Sequence, residues 1–410
     1  NASSKKSKTE NFITKFARFY TPAVVIIALL IAILPMIFVK DAQFSTWLYR
    51  ALIFLVVSCP CALVVSIPLG FFGGIGGASK NGILIKGANY LEALNNLETV
   101  VFDKTGTLTK GKFKVSEINV QNSKYTKDDL LKYAAIAESF SNHPIAQSIV
   151  LEYEKNNKKL EKTDSSEFEF EEIAGHGVKV KYENNEILAG NLKLLKKENV
   201  EAAEKDAVGT VVYVAKDGKY LGNLIIADEI KEDAKKTIEE LNNLGIKNVV
   251  MLTGDNRKIG ENVASKLNIS KVFTDLLPLG KVEKMEEFLK NKSTNGKVLF
   301  VGDGINDAPV LARADIGVAM GGVGSDAAIE AADMIIMNDE PSKIVTALKI
   351  AKKTKKIVWQ NIIFALGVKI IILVMGALGF ATMWEAVFGD VGVALIAILN
   401  ATRALTYKEN

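Results

Sequence analysis

The sequence predicts a multidomain membrane protein, with α-helical transmembrane hairpins flanking a soluble α/β region into which a second α+β unit is inserted. Three observations carry this reading. Long apolar stretches fall in two close pairs, one toward each end of the chain. In the middle, three short apolar runs each end in a loop bearing an aspartate. After the first of these runs comes a segment with strand-like pieces of its own. At 410 residues, two or three folding units are expected.

Residues 1–20 form a basic lead-in, with Lys5, Lys6, Lys8, Lys15 and Arg18. The first residue is Asn1 and no apolar core with a cleavage site follows, so the chain is expected to begin partway through a longer protein. Residues 21–79 read as a transmembrane hairpin: Thr21 to Val39 and Ala51 to Ser79 are uncharged, and a helix of roughly 20 apolar residues crosses a bilayer. Residues 347–410 hold the second hairpin, apolar from Ile357 to Trp384 except for Lys369, and from Ala386 to Thr402 except for Asp390. Two hairpins put both ends and the middle on one side of the bilayer. Lys80, Lys86, Lys352, Lys353, Lys355 and Lys356 join the lead-in charges there, which makes that side cytoplasmic.

The soluble middle divides at residues 80–113, 114–222 and 223–346. The first and last parts form one α/β domain, with apolar runs Thr99–Phe102, Val249–Thr253 and Val298–Val301 preceding Asp103, Asp255 and Asp303. Strands alternating with helical patterns such as Lys231 to Leu244 imply a parallel sheet, whose carboxyl-end loops bind ligands. Residues 114–222, with Ile187–Ala189 and Thr210–Ala215 strand-like, form the insertion.

A net charge of +4, spread along the chain, argues against a nucleic-acid partner. The aspartate loops suit a different chemistry. A carboxylate can attack a phosphoryl group and form an aspartyl-phosphate. A hard divalent cation relieves the repulsion between the two anions, and Mg²⁺ takes carboxylate and phosphate oxygens. Asp103 supplies a nucleophile, Asp303 a second carboxylate, Lys281 a point charge and Thr253 a hydroxyl. Taken singly, Asp-Gly turns and a surface lysine are commonplace; three aspartate loops at three strand ends are not.

Asp103-Lys104-Thr105-Gly106-Thr107-Leu108-Thr109, Thr253-Gly254-Asp255-Asn256 and Gly302-Asp303-Gly304-Ile305-Asn306-Asp307-Ala308-Pro309 resemble, in this order, the three signature motifs of the P-type ATPases. The resemblance implies a haloacid-dehalogenase-like phosphorylation domain with ATP and Mg²⁺ as cofactors. It makes Asp103 the nucleophile, followed by Lys104 and Thr105, with Thr253, Gly254, Asp255 and Lys281 on the phosphate side. Asp303 is then the principal Mg²⁺ ligand, assisted by Asp103 and the Thr105 carbonyl, with Asn306 and Asp307 in support. The insertion is similar to the nucleotide-binding domain of the heavy-metal branch: Ser141-Asn142-His143-Pro144 and Gly175-His176-Gly177 match its motifs, and Glu138 and Asn191 fall where that branch contacts adenosine. His143 on its own could simply be a helix-start residue before Pro144, but together with the glycine pair the resemblance favours it as an adenine contact.

Cys59-Pro60-Cys61 lies inside the second apolar stretch. The proline breaks helical hydrogen bonding, and the two cysteines read as a poor disulfide and a plausible thiolate pair for a soft cation. Lys369 and Asp390 are charges within apolar spans, which marks them as functional candidates. Two thiolates and a carboxylate suit a divalent ion, and Lys369 could pair with Asp390 when the ion is absent. In the family, a lysine in the penultimate helix and Asp-x-Gly in the last mark the exporters of Zn²⁺, Cd²⁺ or Pb²⁺, and Asp390-Val391-Gly392 fits. The resemblance thus implies ATP-driven export of soft divalent metals across the cell membrane by a multi-pass protein in a lipid bilayer. A Cu⁺ pump and a non-cycling metal-binding membrane fragment are the alternatives. The family's dephosphorylating actuator domain carries Thr-Gly-Glu, which this sequence lacks. The actuator and further transmembrane helices are therefore expected outside these residues, and residues 1–410 alone are expected not to complete the dephosphorylation step.

Overall fold

The structure is a computed structural model that describes residues 8–40, 42–58, 61–141, 143–156, 169–173, 175–182, 185–303, 307–321, 326–378 and 380–407. Thirteen strands are seen among these: β1 (Ile83–Ile85), β2 (Leu97–Asp103), β3 (Thr109–Val120), β4 (Glu169–Ile173), β5 (Gly177–Tyr182), β6 (Asn185–Gly190), β7 (Thr210–Lys216), β8 (Lys219–Ile230), β9 (Asn248–Leu252), β10 (Lys271–Phe273), β11 (Lys297–Gly302), β12 (Ile316–Met320) and β13 (Met334–Ile336). One sheet has the order β1-β13-β12-β11-β2-β9-β10, the other β3-β8-β7-β6-β5-β4.

In the first sheet β9 with β10, β11 with β12 and β12 with β13 are parallel, and β1 joins β13 antiparallel at an edge. Its central strands are apolar without alternation because both faces are covered: Val298 to Val301 and Val250 to Leu252 are fully buried. The three apolar runs expected to be strands lie in β2, β9 and β11, and the expected helix over 231–244 is seen as Ala234–Asn243. The second sheet is antiparallel throughout. One face buries Val178, Val180, Ile187, Val212, Val214 and Leu224 under the helices Lys127–Glu138 and Pro144–Asn156. Strands β3 and β8 pair from Thr109 opposite Ile230 to Val120 opposite Gly222, so 114 falls inside a strand and this sheet extends past both expected edges of the insertion.

Among the described residues, four helices are long and apolar enough to cross a membrane: Tyr20–Phe38, Phe44–Lys80, Ser342–Gly376 and Met383–Leu405. The second consists of helices Phe44–Ser58 and Cys61–Lys80. Tertiary contacts define two compact units. One comprises residues 1–101, 236–249 and 278–410, with the apolar helices; the other comprises 102–235 and 250–277, with the antiparallel sheet.

The helix Cys61–Lys80 turns a row of small residues toward its neighbours. A Cβ on Gly70 would lie 3.1 Å from Val358, and one on Gly74 would lie 2.4 Å from Thr354 Oγ1 and 2.7 Å from Leu91. Close helix approach between apolar segments depends on such residues. Gly74→Leu is expected to cost about 1–3 kcal/mol through overpacking, read as a lower thermal midpoint in detergent. Gly367→Ala, where an added Cβ meets nothing within 4 Å, should leave that midpoint unchanged.

Candidate functional site

Asp103 ends β2 in extended backbone (φ −68°, ψ 156°), and Lys104–Leu108 then turn tightly, with Thr105 extended and Gly106 at φ +71°. The positive φ at Gly106 lets five residues reverse the chain before β3 begins. Side chains hold the turn from inside. Thr109 Oγ1 donates to the Lys104 carbonyl at 3.0 Å and also to Asp228. Lys231 donates its ammonium to the Gly106 carbonyl at 2.9 Å and its N–H to the Leu108 carbonyl. Asp103 itself is 5% exposed.

The Lys104 ammonium is buried, 2.5 Å from Asp255 and 3.6 Å from Asp228. A lysine buried at the head of a polar cavity needs such partners to stay charged. Asp255 receives a further hydrogen bond from Thr253 Oγ1 at 3.1 Å, and its own N–H donates to that hydroxyl. In contrast to its neighbours, the Thr107 hydroxyl is fully buried and meets no hydrogen-bond partner among the described residues. An orphaned buried hydroxyl costs about 1–3 kcal/mol unless a ligand completes it. A cavity of about 1060 Å³ in this unit is lined by Lys104, Asp228, Asp255, Lys114, Lys205 and Lys258.

In the other unit, Asp303 follows β11, and Asp307 caps a short helix that begins at Ala308. Lys281 donates to Asp307 Oδ1 at 2.9 Å, with both groups largely buried. A Cβ on Gly302 would lie 2.7 Å from Asp307 Oδ2, so a glycine here lets the carboxylate fold back beneath the loop. Asn306 lies outside the described residues.

The antiparallel sheet gathers the expected nucleotide contacts. Asn191 donates from Nδ2 to the Gly175 carbonyl at 2.8 Å, and its Oδ1 accepts from the Leu194 N–H, which caps a helix. Gly177 has φ +142°, and a Cβ there would lie 2.3 Å from the Ala189 carbonyl oxygen, a contact no other residue tolerates. His143 is exposed, and its Nδ1 accepts from the Ile145 N–H at the start of helix Pro144–Asn156. Glu138 is 7% exposed, and burial, with the charge of Glu172, pushes its carboxyl up to about 7.

Within the apolar helices Lys369 is 6% exposed. Its ammonium donates to the Val57 carbonyl at 3.1 Å and lies 3.6 Å from Asp390 Oδ1, an ion pair longer than a hydrogen bond. Val57 belongs to the last turn of helix Phe44–Ser58, where carbonyls lack intrahelical partners. Asp390 sits in a widened turn, Phe388–Gly392. Cys59 lies outside the described residues. Cys61 opens its helix and is disulfide-bonded, against the expectation of a thiolate. One intervening residue leaves two sulfurs within reach of each other wherever helical spacing is not imposed. The thiolate is the metal ligand, so metal binding at Cys61 belongs to the reduced protein.

Three residues that hold the Asp103 loop, Thr107, Asp228 and Lys231, escape motif reading. Asp228 had a signal: it ends the apolar run Leu221 to Ala227, just as Asp103, Asp255 and Asp303 end theirs. Thr107 stood within the first motif, but nothing in the sequence distinguished its hydroxyl from that of Thr105.

Residues 97–315 match the family of haloacid dehalogenase-like hydrolases. The chain is 59% identical over 409 residues to a cadmium, zinc and cobalt-transporting ATPase of Bacillus subtilis (strain 168), covering 100% of this chain and 57% of that protein. It is 53% identical over 403 residues to a zinc-transporting ATPase of Synechocystis sp. (strain ATCC 27184 / PCC 6803 / Kazusa), covering 98% and 55%. Among solved structures it resembles a zinc-transporting PIB-type ATPase in the E2.Pi state, with TM-score 0.83 and 34% identity over 96% of this chain and 64% of that one. The chain thus spans little more than half the length of the curated relatives it matches.

The Glu138 environment sets a pH dependence. A carboxyl that holds its proton more tightly in the folded unit than in the unfolded chain stabilises the fold at low pH, and that stability is lost as pH rises through the folded value. Thermal stability of this unit is therefore expected to fall between about pH 4.5 and about pH 7, and Glu138→Gln should flatten this slope. An unchanged slope in the variant would assign the effect to other groups.

Proposed function

This chain belongs to the haloacid dehalogenase-like hydrolases and, within them, to the heavy-metal P-type ATPases, and on that premise we propose that it carries the phosphorylation and ion-binding parts of an ATP-driven exporter of soft divalent metals. The observation that carries this is the loop after β2, where a buried carboxylate, a buried lysine held by two aspartates and an unpartnered buried hydroxyl share one tight turn.

The Asp103 carboxylate attacks the γ-phosphorus of ATP. A bond forms between its oxygen and phosphorus while the bond to the bridging oxygen breaks, and ADP leaves with that electron pair. Lys104 keeps positive charge beside the incoming phosphoryl group, and Thr107 donates its free O–H to a phosphoryl oxygen. Asp103 in one unit, and Asp303 and Asp307 in the other, are carboxylates that could each offer an oxygen to a cation. Such hard ligands fit Mg²⁺, which when bound offsets the repulsion between carboxylate and phosphate. Lys281 holds Asp307 in place through its hydrogen bond to Oδ1. Glu138, His143, Gly175, Gly177 and Asn191 receive the nucleoside: Asn191 fixes the Gly175 turn, Gly175 leaves open space beside its backbone, and Gly177 lets its strand close against Ala189.

Transport of zinc and cadmium is supported by the names of the relatives, and the chemistry agrees: reduced Cys59 and Cys61 supply soft sulfur, and Asp390 supplies a carboxylate. Lys369 occupies Asp390 in the metal-free state and competes with the cation. Lead fits the same ligands, and a Cu⁺ pump needs no carboxylate here. The soluble units face the cytoplasm and the helices cross the cell membrane. Release of phosphate from Asp103 falls to an actuator domain, since no Thr-Gly-Glu occurs in these residues.

Incubation of the reduced chain with γ-labelled ATP, Mg²⁺ and Zn²⁺ or Cd²⁺ should give an acid-stable, hydroxylamine-labile label. Asp103→Asn should abolish it, and Thr107→Ala should slow labelling by about tenfold or more, the size of losing one preorganised donor. Label that persists in Asp103→Asn would overturn the assignment of the nucleophile. Cys61→Ala should remove metal dependence, and labelling driven by Cu⁺ instead would favour the monovalent pump. Sustained phosphate release by residues 1–410 alone would overturn the need for an actuator.

A further inference from the structure

Eight residues before Lys369, the same helix buries a second polar side chain, Asn361, 2% exposed. Its Nδ2 donates to the Ala397 carbonyl at 2.9 Å, and its Oδ1 accepts from Asn400 Nδ2 at 2.9 Å. Asn400 in turn accepts at Oδ1 from Arg403 at 2.7 Å, and its Nδ2 also reaches Gln360 Oε1 at 3.3 Å. The guanidinium fixes which end of the Asn400 amide faces Asn361, because only a carbonyl oxygen can accept from it. Each heteroatom of the two amides therefore has a partner, and the network joins the penultimate apolar helix, Ser342–Leu378, to the last one, Val393–Thr402.

Stability does not explain this network. Hydrogen bonds between membrane helices contribute little on average, and an amide at such a depth is costly if any partner is lost. A buried asparagine is instead suited to fixing register, as it does in coiled coils. The register at stake is that of Lys369 and Asp390. Asn361 lies about 12 Å below Lys369 along its helix, and Ala397 lies about 10 Å from Asp390 along the other, at ~1.5 Å per residue. The two hydrogen bonds thus cross-link the helices at matched depth beneath the ion pair. A slip of one helical turn, about 5.4 Å, would separate Lys369 from Asp390 altogether.

We infer that Asn361, oriented through Asn400 and Arg403, is a positioning residue that sets the register of Asp390 against Lys369 and so tunes affinity for the transported ion. This rests on the reading of Lys369 and Asp390 as part of the ion site. The experiment uses the intact membrane protein under reducing conditions and compares two readouts. One is the Zn²⁺ concentration for half-maximal phosphorylation from ATP, and the other is metal-free phosphorylation from inorganic phosphate.

Asn361→Leu, close in volume but without hydrogen bonds, should raise the half-maximal Zn²⁺ concentration about tenfold, with labelling from phosphate within about twofold of wild type. Arg403→Leu, an exposed position that leaves Asn361 in place, should raise it about threefold. In a Lys369→Ala background the Asn361→Leu effect should vanish, because a register that serves this pair has nothing left to align. Unchanged Zn²⁺ response in both single variants, parallel loss of both readouts, or additive effects with Lys369→Ala would each overturn the inference. A wild-type protein with no Zn²⁺-dependent phosphorylation would instead overturn the transport reading, and this inference with it.

Discussion

A lysine ammonium inside a membrane helix is the constraint around which the apolar half of this chain is arranged. Lipid offers it no water, so each positive hydrogen must find protein or the helix pair would not form. Lys369 meets this need with one carbonyl and one carboxylate. The carbonyl is available because helix Phe44–Ser58 stops near the Cys-Pro-Cys segment, leaving its last carbonyls without intrahelical donors. The carboxylate is available because the last membrane segment widens into a π-type turn at Phe388–Gly392, bringing Asp390 alongside. The helix break, the widened turn and the buried charge are thus one arrangement.

The soluble half resolves a related difficulty in another way. A phosphoryl group and a carboxylate repel each other, and here the compensating charge is built into the loop itself. Lys104 follows Asp103 immediately in sequence, is buried with it, and is held by Asp228 and Asp255. Those aspartates are in turn fixed by the hydroxyls of Thr253 and Thr109. Several polar groups that could have been satisfied by water are satisfied by one another, while the Thr107 hydroxyl and Asp228 Oδ1 are buried without a hydrogen-bond partner among the described residues.

Much of this was legible in the sequence. Hydropathy located the hairpins, because a span must be apolar over its whole length. The apolar runs ending in aspartate located three strands of the parallel sheet, because strands covered on both faces lose alternation. What escaped reading was of two kinds. Sheet edges at Thr109 and Ile230 were missed because polar residues such as Lys110, Lys112 and Lys114 occupy strand positions open to solvent, where pairing rather than hydrophobicity decides. Contacts such as Lys104 with Asp228, or Asn361 with Ala397, join residues far apart in sequence and leave no periodic trace.

The helix Ser342–Leu378 is continuous over 37 residues. At ~1.5 Å per residue it is a rod of about 55 Å, rooted a few residues after β13 and bearing Lys369 far along its length. A rod converts angle into distance: a tilt of about 5° at its root moves the far end by nearly 5 Å, roughly one helical turn. Its stiffness therefore acts as a gear ratio. Motions at the soluble end too small to disturb packing arrive in the membrane as displacements on the scale of an ion's coordination shell.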